Sequence, residues 1–315
     1  MTIKSKCRGV VVPMITPLND REEIDQKAAK RITGYLIQNG CIPFILGTSG
    51  EATSQSAEQK LILAEAVVEA AGNRVPVYAG ISSTCLSESV RLANTFFEKG
   101  VDYAVAHLPF FYPLTPEQMK TYFLRLADAI SGPLMIYNIP STTGMAIPSK
   151  VIFELSEHKN IVGIKDSERS IEKHEEIIEF CRVHDRFAHL TGWGVQIARA
   201  LLSGSDGLVP STGNLVPGIY YELYQASLAG EEEKVFQIQA QTDAISAVYQ
   251  KDRTLGESLA ALKIMMHEWG LCGKTMQSPL TQLHPGEESK VLEQMKKLDL
   301  TPVETMNDET ERGSA

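Results

Sequence analysis

A lysine closes the apolar run Ile161-Val162-Gly163-Ile164-Lys165 in a chain of 315 residues. If the run is a buried strand, alternation puts Ile161, Gly163 and Lys165 on one face. Burial disfavours the charged amine and lowers its pKa. A neutral amine attacks a ketone and forms a Schiff base, and the protonated imine is an electron sink for making or breaking a carbon–carbon bond. The competing reading is an ion-paired lysine at a strand end, since structural ion pairs also perturb lysines.

The company Lys165 keeps favours chemistry. The preceding apolar run, Leu134–Pro140, finishes with Tyr137-Asn138-Ile139-Pro140. Adjacent parallel strands lie about 4.8 Å apart, so a phenol and an amine at equal heights would meet. The phenol would shuttle protons for carbinolamine and imine formation. The turn Gly47-Thr48-Ser49-Gly50 offers two hydroxyls and backbone N–H groups, a donor set that suits a carboxylate. It lacks the lysine and spacing of a phosphate-binding P-loop. Further polar ends are Asp166-Ser167, Thr191-Gly192-Trp193-Gly194 and Pro210-Ser211-Thr212.

Elements must bring these residues together. Eight short apolar runs recur, at 9–16, 41–47, 75–80, 102–107, 134–140, 161–166, 187–192 and 207–211. An amphipathic segment follows each, at 23–39, 56–71, 86–99, 116–131, 148–158, 170–184, 194–203 and 216–228. Ser56 and Gln59 read as a capping box. Pro116 and Pro148 read as first helical residues. Gly40, Gly72 and Gly100 read as helix-ending glycines. Eight strand–helix units in series predict an α/β chain folded as a (β/α)8 TIM barrel over 1–228, with its site at the C-terminal strand ends. The alternative is an open doubly wound sheet, but no G-x-G-x-x-G follows the first run. Helical patterns at 231–250, 255–269 and 287–298 predict a C-terminal helical appendix over 229–300, and 301–315 reads as a flexible tail.

Composition sets limits. Hydrophobic residues make up 43% and charged residues 22%, the mix of a soluble globular protein. The net charge of −9 argues against nucleic acid and an anionic membrane surface. No apolar run approaches the ~20 residues of a membrane span, and the start of the chain lacks the apolar core of a signal peptide, so a cytoplasmic location is expected. The five cysteines include no CxxC and read as buried thiols, and no metal-ligand set is apparent. His174-Glu175 begins like a zinc motif without its second histidine, and His107 reads as a packed or partly exposed residue.

The stretches GTSGE, YNIP and GIKD together resemble the dihydrodipicolinate synthase / N-acetylneuraminate lyase family of class I pyruvate-handling aldolases, over roughly residues 8–300. The resemblance implies a barrel with C-terminal helices, a homotetramer or homodimer, and no cofactor beyond the substrate imine. It implies Lys165 as the Schiff-base lysine, Tyr137 as the proton relay, and Thr48 and Ser49 as the pair that holds the pyruvate carboxylate and joins the relay.

Three positions depart from the family's patterns. The synthases usually read Y-N-x-P-x-R-T, with an arginine for the aldehyde's carboxylate; here Thr142 stands in its place, and a hydroxyl does not replace a bidentate guanidinium. Phe111 stands where a relay tyrosine is common, with Tyr112 beside it. Trp193 and Val195 replace the acidic residues that sialate lyases place after strand 7. What remains is a smaller 2-oxo acid, with Gly50, Thr142, Thr143, Ser167, Gly192 and Ser211 completing a pocket for a 2-keto-3-deoxy sugar acid split into pyruvate and an aldehyde. Dihydrodipicolinate synthase, a 2-keto-3-deoxy acid dehydratase and a non-catalytic oxo-acid binder stay open as alternatives.

Overall fold

The computed structural model describes residues 7–298 and Leu300. The predicted tail 301–315 lies outside the described residues. Eight parallel strands close into one barrel in sequence order: β1 (Gly9–Pro13), β2 (Ile42–Ile45), β3 (Tyr78–Gly80), β4 (Tyr103–His107), β5 (Leu134–Asn138), β6 (Ile161–Asp166), β7 (Ala188–Thr191) and β8 (Gly207–Leu208). Closure excludes the open sheet.

Around the barrel run α1 (Gln26–Gln38), α2 (Ala57–Ala71), α3 (Leu86–Glu98), α4 (Pro116–Ala129), α5 (Ser149–Ser156), α6 (Ile171–Val183), α7 (Ile197–Leu202) and α8 (Pro217–Ala229). Three more follow: α9 (Glu232–Gln250), α10 (Leu255–Glu268) and α11 (Pro285–Lys296). Local chemistry sets many of their ends. Ser56 and Gln59 form the expected reciprocal cap on α2, and Thr115 with Gln118 forms another on α4. Pro148 differs from expectation: it stands just before α5, whose first residue is Ser149. Gly40, Gly72 and Gly100 all take positive φ where helices stop.

Two apolar layers hold the fold. One fills the lumen, with Val11, Phe44, Tyr78, Val105, Met135 and Leu190 among its members. The other lies between strands and helices, and it continues without interruption into α9 and α10 through Val235, Ile245 and Leu262. The strict alternation expected of β6 fails at its start. Ile161 packs in the outer layer while Val162 packs in the lumen, because the β5–β6 register shifts between Leu134 and Met135. Beyond that irregularity Met135 pairs with Gly163 and Tyr137 with Lys165, so the face that carries Lys165 is restored.

A buried ion pair ties α10 to the loop after β2. Lys263 Nζ lies 2.5 Å from Glu51 Oε1, both side chains fully buried. The same ammonium donates to Thr275 O at 2.7 Å, and Glu51 Oε2 accepts from the Gln277 N–H at 2.7 Å. Glu51 takes a left-handed φ of 54°, an uncommon conformation for a non-glycine residue. The turn that carries Thr48 and Ser49 is therefore braced by the helices that follow the barrel.

Candidate active site

Lys165 sits at the C-terminal end of β6 and is only 4% exposed. Its register partner on β5 is Tyr137, the pairing expected for a lysine and a phenol of equal height. Nζ lies 3.7 Å from the centroid of the Tyr137 ring and 4.9 Å from that of Phe44. Burial pushes the amine's pKa below its ordinary value, against the opposing pull of Tyr137. The ion-paired alternative for this lysine is not what the geometry holds: among the described residues its neighbours are aromatic faces rather than a carboxylate.

Tyr137 links outward to the second turn. Its Oη lies 3.2 Å from Thr48 Oγ1, a hydroxyl pair in which either can donate. The backbone N–H groups of Thr48 and Ser49 enter no hydrogen bond with the described residues, and neither does Ser49 Oγ, although Ser49 is buried. These donors remain available to a carboxylate.

A cavity of about 750 Å³ opens over Lys165. It brings together Lys165, Tyr137, Thr48, Ser49, Thr142, Ser167, Gly192 and Ser211, eight of the ten residues singled out from the sequence. Gly192 has a steric reason for its type: a Cβ there would lie 2.2 Å from Ser167 Oγ. Ser211 Oγ shares a 2.7 Å hydrogen bond with Tyr249 Oη on α9. Thr143 lies elsewhere. It lines an adjoining cavity of about 410 Å³, which it shares with Tyr137, Thr48 and His107, and its hydroxyl bonds to Ile139 O and Met145 O, each at 3.0 Å. Gly50 reaches neither cavity. Its N–H is taken by Gly47 O at 3.0 Å, and its carbonyl accepts from Thr16 Oγ1 and Gln55 Nε2, each at 2.6 Å. Gly50 thus closes the turn from behind, where a Cβ would crowd Leu46 N and Met14 O at 3.1 Å.

Behind the strand ends lies a polar cluster that spacing did not reveal. Asp166, the neighbour of Lys165, points away from the lumen. Its Oδ1 accepts from Asn138 Nδ2 at 2.9 Å and from the Glu168 N–H at 3.0 Å. Its Oδ2 lies 3.5 Å from His174 Nδ1. Burial alone would raise this carboxyl; the His174 hydrogen bond, the His189 charge and the Glu168 N–H outweigh it and hold Asp166 below its ordinary value. Asn138 also donates to Glu168 Oε2 at 2.8 Å, and Lys173 Nζ meets the same oxygen at 2.5 Å. The network fixes the backbone on both sides of the Tyr137–Lys165 pair. Asp166, His174 and His189 have candidate ligand atoms within 4.8 Å of one another, the one such group of three among the described residues. The sequence showed only the incomplete zinc motif at His174, because His189 comes from the next strand rather than the same helix. Four charged residues of the large cavity also carry no motif that marks them in the sequence: Arg169, Asp243, Lys251 and Arg253.

The chain matches the dihydrodipicolinate synthetase family over residues 6–298. It is 28% identical over 290 residues to the 4-hydroxy-tetrahydrodipicolinate synthase of Alkalilimnicola ehrlichii, covering 91% of this chain and 97% of that one. It is 32% identical over 232 residues to a DapA-like lyase of Thermofilum pendens, covering 73% and 77% respectively. The crystal structure of dihydrodipicolinate synthase from Aquifex aeolicus superposes with a TM-score of 0.85 at 27% identity, covering 94% of this chain and 99% of that one.

Proposed function

We propose that Lys165 binds pyruvate as an imine in this chain, which belongs to the dihydrodipicolinate synthetase family and is a lyase of the aldolase type. The observation that carries the proposal is the buried Lys165 amine against the Tyr137 ring at the floor of the large cavity. The neutral amine attacks the C2 carbonyl of pyruvate, and the carbinolamine takes a proton on its hydroxyl and loses water to give the protonated imine. Loss of a C3 proton yields the enamine. Its C3 attacks an aldehyde carbon, the new alkoxide takes a proton, and water hydrolyses the product imine to free Lys165. Cleavage is the reverse. Tyr137 Oη, 3.2 Å from Thr48 Oγ1, carries protons to and from the oxygens that change charge. The free N–H groups of Thr48 and Ser49, with Ser49 Oγ, hold the pyruvate carboxylate. The reaction needs no cofactor beyond the substrate imine.

For the second substrate, the names of the curated relatives favour a 4-hydroxy-tetrahydrodipicolinate synthase over the 2-keto-3-deoxy sugar acid aldolase expected from the sequence. The sugar-acid reading keeps one supporting observation: Thr142, Ser167 and Ser211 present hydroxyls to the cavity. Pyruvate plus an aldehyde as products marks an aldolase, and a dehydrated oxo acid marks a dehydratase. Assembly as a homotetramer or homodimer fits the exposed Phe111 and Tyr112, 81% and 72% accessible on one loop, and light scattering reads it directly.

Borohydride trapping with pyruvate tests the reading. Mass spectrometry should find one reduced adduct on Lys165, absent in Lys165→Ala. No adduct, or an adduct on another lysine, moves the non-catalytic binder to the front.

A further inference from the structure

Buried polar groups crowd the outer face of the barrel behind Lys165. Lys165 faces the lumen, so Asp166 faces outward, and its register partner on β7 is Thr191. His189, two residues before Thr191, shares that face. α6 lays His174 over them, its ring 4.9 Å from that of His189. All four residues are buried, with His174 the most exposed at 4%. His174 Nε2 and Thr191 Oγ1 have no hydrogen-bond partner among the described residues. Asp166 Oδ2 meets His174 Nδ1 only at 3.5 Å, beyond the usual N–H···O range.

Counting donors and acceptors shows what the cluster lacks. Ser205 has one hydroxyl hydrogen, and the carbonyls of Gly207 and His189 stand at 2.9 and 3.1 Å to take it. His189 Nδ1, 2.9 Å from the same Oγ, therefore donates, which leaves Nε2 as a lone pair. Asp166 Oδ1 is held by Asn138 Nδ2 and the Glu168 N–H, which leaves Oδ2 towards His174. A neutral His174 brings one N–H and one more lone pair. The cluster is thus rich in acceptors, buried and short of positive charge, and a cation completes it. Its outer bonds are those of ligands already oriented: one imidazole nitrogen tied to a hydroxyl, one carboxylate oxygen tied to two N–H donors.

We propose that Asp166, His174 and His189 bind one divalent transition-metal ion such as zinc, which clamps α6 to the outer face of β6 and β7. Two imidazoles and one carboxylate suit such an ion, whereas magnesium and calcium require oxygen ligands. The three ligand atoms lie within 4.8 Å of one another. Tetrahedral zinc, with bonds of about 2.0–2.1 Å, spaces its ligands roughly 3.3 Å apart, so the widest gap closes by about 1.5 Å at most. A crevice of about 10 Å³ between α6 and α7 reaches His174, and the exposed Glu175 and Arg199 stand on it. That is room for a water and nothing larger. The fourth ligand is then a water that the Thr191 hydroxyl can hold, and the site is structural. It lies on the opposite face of β6 from the lumen and does not depend on the imine reading.

Cobalt titration of the full chain, stripped of metal by a chelator, tests the site. Visible cobalt absorption should rise to a break at one equivalent per chain, and zinc should displace it. Zinc at a hundredfold excess over its Kd should raise the melting temperature by about 5 °C. The break should vanish in His174→Gln and persist in His158→Gln, whose ring faces Asp128 instead. X-ray absorption of the zinc-loaded wild type should show two imidazole nitrogens at about 2.0 Å, a reading that stands even where His174→Gln does not fold. No break at one equivalent in the wild type overturns the inference and assigns a proton to the cluster in place of the metal. A break that survives His174→Gln, or a zinc shell without imidazole, overturns it too. Pyruvate trapping on the same samples reads the imine separately.

Discussion

Replacing Lys263 by methionine tests whether the helices after the barrel hold the active-site turn. Lys263 and Glu51 are both fully buried, with nitrogen and oxygen 2.5 Å apart. The variant removes the cation and leaves the Glu51 carboxylate with the Gln277 N–H as its remaining donor. No solvent screens such a charge, and removing one partner of a buried pair costs about 3–5 kcal/mol. Equilibrium urea unfolding at fixed protein concentration should show that loss as a lower midpoint. Glu51→Gln combined with Lys263→Met removes both charges and should recover at least half of it, since a neutral pair leaves no unpaired ion. The damage should also reach substrate. Glu51 stands close behind Thr48 and Ser49, so the half-saturating pyruvate concentration in borohydride trapping should rise about tenfold, on the scale of one misplaced charge-assisted donor set. A single variant that loses less than about 1 kcal/mol, or that keeps the wild-type pyruvate concentration dependence, would falsify the bracing argument.

Tyr137→Phe keeps the ring against Lys165 and deletes the hydroxyl bonded to Thr48; kcat should fall about 10²–10⁴-fold, while prolonged trapping with pyruvate still labels Lys165. A turnover number within threefold of wild type would remove Tyr137 from the relay. Lys165→Met should abolish turnover yet raise the melting temperature by about 2 °C or more. The sign follows from the lowered pKa: the native state binds fewer protons than the unfolded one, so burying the amine costs stability at neutral pH. That cost fades as pH rises towards the ordinary value of 10.5. The difference in melting temperature should therefore shrink between neutral and alkaline pH, and a variant no more stable at pH 7 contradicts the assignment. Treatment with a strong chelator should leave activity intact, because the imine route uses no metal. A large loss restored by zinc would instead give a metal at Asp166, His174 and His189 a part in turnover.

The sequence by itself determined the elements and most of the cavity. Strands and helices are local. Ser56 and Thr115 cap their helices with partners three residues away, and the alternation of apolar runs with amphipathic segments admits a closed barrel. Because a barrel gathers its strand ends at one mouth, a residue that ends a run, such as Tyr137, Lys165, Gly192 or Ser211, lands at the cavity without further information. Gly50 shows the limit of that rule: it lies in the right turn, but only the packing of Thr16, Gln55 and Met14 decides that it faces backwards. The register shift that sends Ile161 outward is likewise set by β5, not by β6 alone.

What only the tertiary structure decided are pairings between distant parts of the chain. Glu51 meets Lys263, and Asp166 meets His174 and His189. Arg169 shares a cavity with Asp243 on α9 and with Lys251 just beyond the end of that helix. Spacing along a chain reports neighbours within a turn or a strand. Charges buried far from one another in sequence find their partners only when the layers close, and there the energy of desolvation, rather than local propensity, selects them.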